Sequence, residues 1–248
     1  MADSRYQAEL DAIAARYTLR ELNGSVERYS WLRPEVHLAA CERDRAILRL
    51  FAGIGLKDLS RVSLLEVGCG GGGNLLRFLQ WGFDPVRLVG NELLPDRLDM
   101  ARRRLPQQVR LIGGDASTLD GERLGGRGFD IVYQSTVFSS ILDDALQAQL
   151  AQRMWTLARP GGGVLWYDFR VDNPRNRDVR GVPLRRIREL FPQSVPVVRR
   201  VTLAPPIARA LARAAPRCAA ALYAACNALP ALRTHLLCWI PKETVSHE

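Results

Sequence analysis

An α/β fold, with a mostly parallel sheet and helices on both its faces, is what this sequence predicts. Three observations carry the expectation. Short apolar runs that end in glycine or a carboxylate recur along the chain, the mark of buried parallel strands. Amphipathic stretches of roughly ten to fifteen residues separate them, which is the βαβ rhythm. The residues with chemical character stand where those strands end, and ligands on such sheets bind there.

Residues 1 to about 58 read as helical. Ile47, Leu48, Leu50, Phe51 and Ile54 recur with helical spacing. VSLLEVG then predicts a buried strand feeding a tight turn. NLLRFLQWG is a helix stopping at Gly82, VRLVGNE a second strand, and LPDRLDMARRRL a helix with Pro95 in its first turn. VRLIGGDA is a third strand. FDIVYQ opens a fourth, DDALQAQLAQRMWTLA is the next helix, and PGGGVLWYDFR is a turn with a fifth strand. Beyond Arg170 the rhythm loosens into a polar loop, the short helix LRRIRELFP and the strand VPVVRRVTLAP. Residues 207–232 read as two helices broken by Pro216, with Pro230 near their end.

Composition narrows the classes. A chain of 248 residues suits one α/β domain. No window approaches the ~18 apolar residues of a membrane span, and the polar, amphipathic N-terminus does not read as an export signal. The cytoplasm is the expected location. Cys41, Cys69, Cys218, Cys226 and Cys238 form no C-x-x-C pair, so free thiols and no metal site are expected. The net charge of +9 is carried by arginine, since Lys57 and Lys242 are the only lysines. Between Arg170 and Arg217 twelve arginines face only Asp172, Asp178 and Glu189. Such a run attracts anions, or is a solvated basic surface.

The chemistry begins at LLEVGCGGGGNLL. Glycines at Gly68, Gly70 and Gly72 let the backbone turn and let a bulky ligand approach. The run also satisfies G-x-G-x-x-G, a dinucleotide fingerprint. Glu66 weighs against that reading, because its carboxylate suits a cationic amino group and repels a pyrophosphate. Glu92, followed by Leu93, lies about twenty residues on, at the end of the second strand, where a carboxylate accepts ribose hydroxyls. Asp115 and Ala116 follow the third strand, where an acid reaches adenine's amino group or caps the next turn.

From about Val62 to Asp168 the chain resembles the class I S-adenosylmethionine-dependent methyltransferases. LEVGCGGGG matches that family's first motif, Glu92 its ribose-binding acid, Gly114-Asp115-Ala116 its adenine-side motif, and PGGGVLWYD its later strand motifs. The resemblance implies a Rossmann-like seven-stranded sheet with an antiparallel hairpin at its C-terminal edge, S-adenosyl-L-methionine as cofactor, and Gln134 beside the donor. RYSWLRPE, STVFSSIL, WYDFRVDNPRN and LRTHLL resemble a bacterial subfamily associated with surface-polysaccharide and glycolipid biosynthesis. That implies a small or sugar-containing acceptor, possible lipid linkage included. The expected organisation is a single domain over 1–248: N-terminal helices over 1–58, a cofactor-binding core over 59–170, and a sheet edge with helical cap over 171–248.

Methyl transfer from a sulfonium is an in-line displacement, so alignment and water exclusion are the main tasks. An oxygen acceptor also needs a base. Asp168, ending the fifth strand, and His235, reaching in from the cap, are the candidates. Asp168 can instead pair with arginine, and His235 can be a core histidine. Thr136, Phe138, Ser139, Tyr167, Arg170, Asn173 and Arg175 are the expected acceptor contacts. Residues 207–232 read as a lid, a dimer surface or, through Arg209, Arg213 and Arg217, a contact with an anionic membrane at its inner face. Competing functions are RNA methylation, a donor-binding partner protein without catalysis, and an NAD-dependent oxidoreductase. Little aromatic interleaving in the basic run and no separate RNA-binding module make nucleic acid a poor partner.

Overall fold

A computed structural model describes residues 2–22, 30–122, 124–173, 176 and 178–244, with backbone alone at 2–5 and 20–22. Seven strands form one sheet in the order β3-β2-β1-β4-β5-β7-β6. They are β1 (Leu64–Val67), β2 (Leu88–Glu92), β3 (Arg110–Gly113), β4 (Phe129–Ser135), β5 (Ala158–Phe169), β6 (Val197–Leu203) and β7 (Arg233–Pro241). β1 pairs parallel with β2 and β4, β2 with β3, and β4 with β5. β7 runs antiparallel between β5 and β6. The Rossmann-like sheet, with its reversed strand near one edge, is the expected one.

Eight α-helices flank the sheet among the described residues. They are α1 (Ala2–Leu22), α2 (Pro34–Gly53), α3 (Gly73–Gln80), α4 (Pro95–Arg104), α5 (Asp144–Leu157), α6 (Leu184–Leu190), α7 (Pro205–Ala214) and α8 (Ala219–Asn227). Proline opens α2, α4 and α7, where its missing N–H costs nothing. The Asp143 carboxylate caps α5 by accepting the Leu146 N–H at 2.8 Å.

Alternation along the strands divides the core in two. Leu64, Ile131, Tyr133 and Leu165 join Ile47 and Phe51 of α2 and Leu75 and Phe78 of α3. Leu65, Val132, Val164 and Trp166 join Leu150 and Met154 of α5 and Ile187 of α6 on the other face. Each fully buried side chain of this kind stabilises the fold by about 1.5–3 kcal/mol. A third, small cluster holds the cap: Leu203, Ala208 and Tyr223, with Leu38, Ile207 and Leu211 against them.

Two local readings differ from expectation. Pro160 to Gly163 lie inside β5 rather than in a turn before it. The β4–β5 register jumps from Phe129↔Ala158 to Ile131↔Gly163, a bulge. A Cβ at Gly162 would stand 2.6 Å from the Asp130 carbonyl oxygen, so glycine is what admits the close approach. His235 belongs to β7, within the sheet, and not to the cap. Its neighbours along the chain, LLCWI, are a buried apolar run.

Candidate functional site

β1 ends in the glycine loop and delivers Glu66, fully buried, to the face covered by α2 and α3. Asn74 Nδ2, in the first turn of α3, donates to Glu66 Oε1 at 2.6 Å. Glu66 Oε2 has no partner. Burial pushes this carboxyl up to about 8, against the opposing pull of the Asn74 hydrogen bond and the Arg43 guanidinium. Gly70, at φ +55°, directs its N–H to Glu92 Oε2 at 2.7 Å. The Leu94 N–H donates to Glu92 Oε1 at 2.9 Å. Each Glu92 oxygen keeps a lone pair for a hydroxyl. Gly68 and Gly72 also carry positive φ, and Leu93 packs partly buried on the α5-side core.

Asp115 caps a short 3-10 turn, Ala116–Thr118, by accepting the Ser117 N–H at 2.9 Å, as the alternative reading of this acid supposed. The Tyr6 hydroxyl, from α1, bonds both Asp115 and Ser117. α1 lies across this end of the sheet. Arg16 Nη2 donates to Glu9 Oε1 at 2.8 Å and to the Ser140 carbonyl at 3.0 Å. The Leu142 N–H donates to Glu9 Oε1 at 2.9 Å, and Ile13 is 8% exposed in the α5-side core. The Arg97 guanidinium, beside the glycine loop, stacks 4.8 Å from the Tyr17 ring.

Gln134, at the end of β4, is fully buried; its Oε1 accepts the Val137 N–H at 3.0 Å and its Nε2 has no partner. Thr136 follows with φ +58°, a left-handed conformation that costs a non-glycine residue of order 1–3 kcal/mol and is common at working sites. Phe138 is fully buried against Trp166, with ring centroids 4.4 Å apart. Asp168 lies beneath the 3-10 turn Phe138–Ser140. The Ser139 N–H donates to its Oδ2 at 3.1 Å and the Phe169 N–H to its Oδ1 at 2.8 Å. Burial pushes this carboxyl up to about 6.

His235 and Tyr167 occupy the opposite face, stacked at 4.9 Å. Burial pushes His235 down to about 3, so its imidazole is neutral near pH 7. The Tyr167 hydroxyl pairs with Thr202 Oγ1 at 2.9 Å. Asp168 and His235 therefore do not converge. Arg170 is held through its backbone N–H, which donates to the Thr234 carbonyl at 2.9 Å. Asn173 is exposed, and Arg175 lies outside the described residues.

Sequence reasoning passed over several residues here. Arg43 sits 5.5 Å above the Tyr167 ring and 3.5 Å from Asp44, on the face that also holds Glu66. The signal was present: Arg43 and Asp44 stand four and three residues before Ile47, on the apolar stripe of a helix where charges need a reason. Tyr6, Arg16 and Tyr17 had no comparable signal, because the hydrogen bonds that tie them to Asp115 and Ser140 span more than 100 residues.

The donor set fits S-adenosylmethionine. Glu66 offers an unpartnered buried carboxylate oxygen for an ammonium, Glu92 free lone pairs for ribose hydroxyls, and Gln134 an unpartnered amide. No helix among the described residues is long and apolar enough to cross a membrane, and no metal-binding group of His, Cys, Asp or Glu occurs among them.

Residues 64–162 match a family model described as a methyltransferase domain. No curated protein is significantly similar in sequence to the chain. Among solved structures, magnesium protoporphyrin IX methyltransferase from Synechocystis PCC 6803, with bound SAH, aligns at TM-score 0.62 and 10% identity over 94% of this chain and 99% of that one. The 1,6-didemethyltoxoflavin-N1-methyltransferase of Burkholderia thailandensis aligns at TM-score 0.56 and 20% identity, covering 93% and 89%. Both likenesses are of fold. An amino pentose methyltransferase from Micromonospora echinaspora is 27% identical over 54% of this chain at TM-score 0.42, and the alignment spans about half, 52%, of that protein's length. The matched residues 64–162 supply β1 to β4 and the start of β5, so the resemblance to a methyltransferase domain falls on the parallel half of the sheet.

Proposed function

We propose that the whole chain transfers the methyl group of S-adenosylmethionine to an oxygen of a small or sugar-containing acceptor, glycolipids and polysaccharide precursors included. The observation that carries the reading is the pair of unpartnered polar atoms buried at the ends of adjacent strands, Glu66 Oε2 near Glu92 and Gln134 Nε2 one register position further along β4. When bound, the donor supplies a methyl group already activated on a sulfonium. The protein's part is to hold, orient and dehydrate the reactants. Glu66, Glu92 and Asp115 hold the donor, and α1 closes over it. Thr136 turns the chain away from β4 and, with Arg170 and Asn173 beyond the end of β5, frames the acceptor.

Asp168 is the base on this reading. Its carboxyl is held near 6, close to neutral, where a base is effective. Because Asp168 is fully buried, acceptor binding lifts the Phe138–Ser140 turn from it. His235 keeps Tyr167 in place by stacking. Residues 207–232 act as a cap. α7 turns Ile207, Ala208 and Leu211 inward onto Leu203 and Tyr223, which leaves its apolar stripe unavailable to a membrane.

Calorimetric titration with S-adenosylmethionine tests the reading. Micromolar binding, weakened tenfold or more in Glu92→Ala by loss of charge-assisted hydrogen bonds, is the expected result. Asp168→Asn should keep that affinity and lose about 10²–10⁴ in kcat, together with the rise of rate through pH 6. No donor binding by the wild type, with NAD bound in its place, would sink the proposal.

A further inference from the structure

The outer edge of the sheet carries a groove far from the glycine loop. It lies between α2, β6 and α8 and encloses about 460 Å³. Arg45 and Arg49 line it from α2, one helical turn apart, Arg199 and Arg200 from β6, and Arg233 from the start of β7. Glu42 is the one carboxylate in the lining, and its Oε2 already accepts the Thr202 N–H at 2.7 Å. β6 is the terminal strand on this side, whereas Glu66, Glu92 and Asp115 stand at the ends of β1, β2 and β3 in the other half of the sheet.

Arg200 faces the other side of the sheet and meets the groove through its backbone, but gathering the guanidiniums of Arg45, Arg49, Arg199 and Arg233 around one engaged carboxylate is still electrostatically unfavourable. Among the described residues, none of these four has a carboxylate partner within 4.0 Å. The arginines of α6, on the other face of the sheet, differ: Arg185 pairs with Glu189, and Arg186 with Glu189 and Asp144. Arg233 is braced, donating through Nε to the Asn227 carbonyl at 2.6 Å and through Nη1 to the Arg200 carbonyl at 2.9 Å. Asn227 lines the same groove and is 8% exposed, and its side-chain oxygen has no partner. Turning that amide about its last bond presents two N–H donors instead.

We propose that this groove binds a small molecule bearing a diphosphate. Guanidinium forks match phosphate oxygens bidentately, and several of them suit a ligand with several negative charges. The volume lies within the roughly 300–1,000 Å³ of small-molecule sites and well above what a bare ion needs. No aromatic side chain lines the groove, so the bases of a single-stranded nucleic acid would find no stacking platform. The site stands apart from the methyl-transfer reading and survives its failure.

The test is calorimetric titration of the full chain with inorganic phosphate, pyrophosphate and ADP, beside the double variant Arg49→Ala/Arg199→Ala. Both side chains are exposed, so the fold is retained. S-adenosylmethionine titration of the same variant serves as the independent control. Pyrophosphate should bind saturably, at least tenfold more tightly than phosphate, and less tightly as salt is raised. The double variant should weaken it at least tenfold and leave donor affinity unchanged. Tighter binding of ADP than of pyrophosphate identifies a nucleotide ester as the ligand; equal binding identifies the diphosphate alone. Absence of saturable pyrophosphate binding, binding unaltered in the double variant, or single-stranded RNA binding that pyrophosphate fails to displace would each overturn the proposal.

Discussion

Glu66 joins chemistry and stability in one side chain. Its carboxyl titrates near 8 in the fold against an ordinary value of 4.5, because burial disfavours the charged form. The folded state therefore binds a proton that the unfolded chain releases. Stability from this group is full below about pH 4.5 and is lost as pH rises through about 8. Glu66→Gln should match the wild type in thermal melts at pH 5 and melt several degrees higher at pH 9. A gap that does not widen between those pH values would refute the assignment. An ammonium bound at Oε2 would reverse the preference and favour the carboxylate, so donor binding and deprotonation of Glu66 are linked. Burial moves His235 the other way, to about 3. Its contribution is present above the unfolded value near 6.5 and is lost as pH falls.

At the scale of elements, α1 is the helix that covers the proposed donor site. It is tied down at Tyr6, Glu9, Arg16 and Tyr17, and among its described side chains Ile13 is buried in the core with Leu10 half-buried beside it. An element held by a few polar contacts opens at lower cost than the sheet beneath it. Arg16→Ala removes the bonds to Glu9 and to the Ser140 carbonyl. Stopped-flow release of S-adenosylhomocysteine should then accelerate about tenfold, the worth of a charge-assisted hydrogen bond, while the global melting temperature stays within a few degrees. Unchanged release would show that α1 does not gate the site. α7 makes a related point. Arg213 is exposed and Arg209 half-buried, while Ile207, Ala208 and Leu211 pack on Leu203 and Tyr223, so an amphipathic pattern that suits a membrane equally suits a cap.

The whole molecule rests on two cores separated by one sheet. Phe78 belongs to the α2–α4 side and Met154 to the α5–α6 side, and both are essentially inaccessible. Phe78→Ala should cost about 3–5 kcal/mol and Met154→Ala about 2–5 kcal/mol in urea unfolding. Because the residues share no partner, the double variant should equal their sum to within about 0.5 kcal/mol. A clear shortfall would mean that the two faces unfold as one strained unit.

The strands of the parallel half, the helices between them, and the placing of Glu66, Glu92 and Asp115 at or just beyond strand ends were legible in the amino-acid sequence. Periodicity and strand-end chemistry are local properties, written within about ten residues. What escaped was set by contacts between distant segments. Pro160–Gly163 read as a turn because proline and glycine are turn residues, yet pairing with β4 and β7 holds them in a bulged strand. His235 read as part of the cap because nothing local marks β7 as the strand between β5 and β6. Sheet pairing then put it on the face opposite Asp168. The arginine run after Arg170 was visible as charge, but which of its members are neutralised was not. Arg180 and Arg186 meet Asp144, while Arg199 joins Arg45, Arg49 and Arg233 across 188 residues of chain. Sequence by itself determined the fold class, since that follows from local pattern, and through its resemblance to a known family it pointed to the donor. Tertiary structure alone decided which charges are buried, paired or left to face a ligand, because desolvation and pairing energies depend on neighbours that folding brings together.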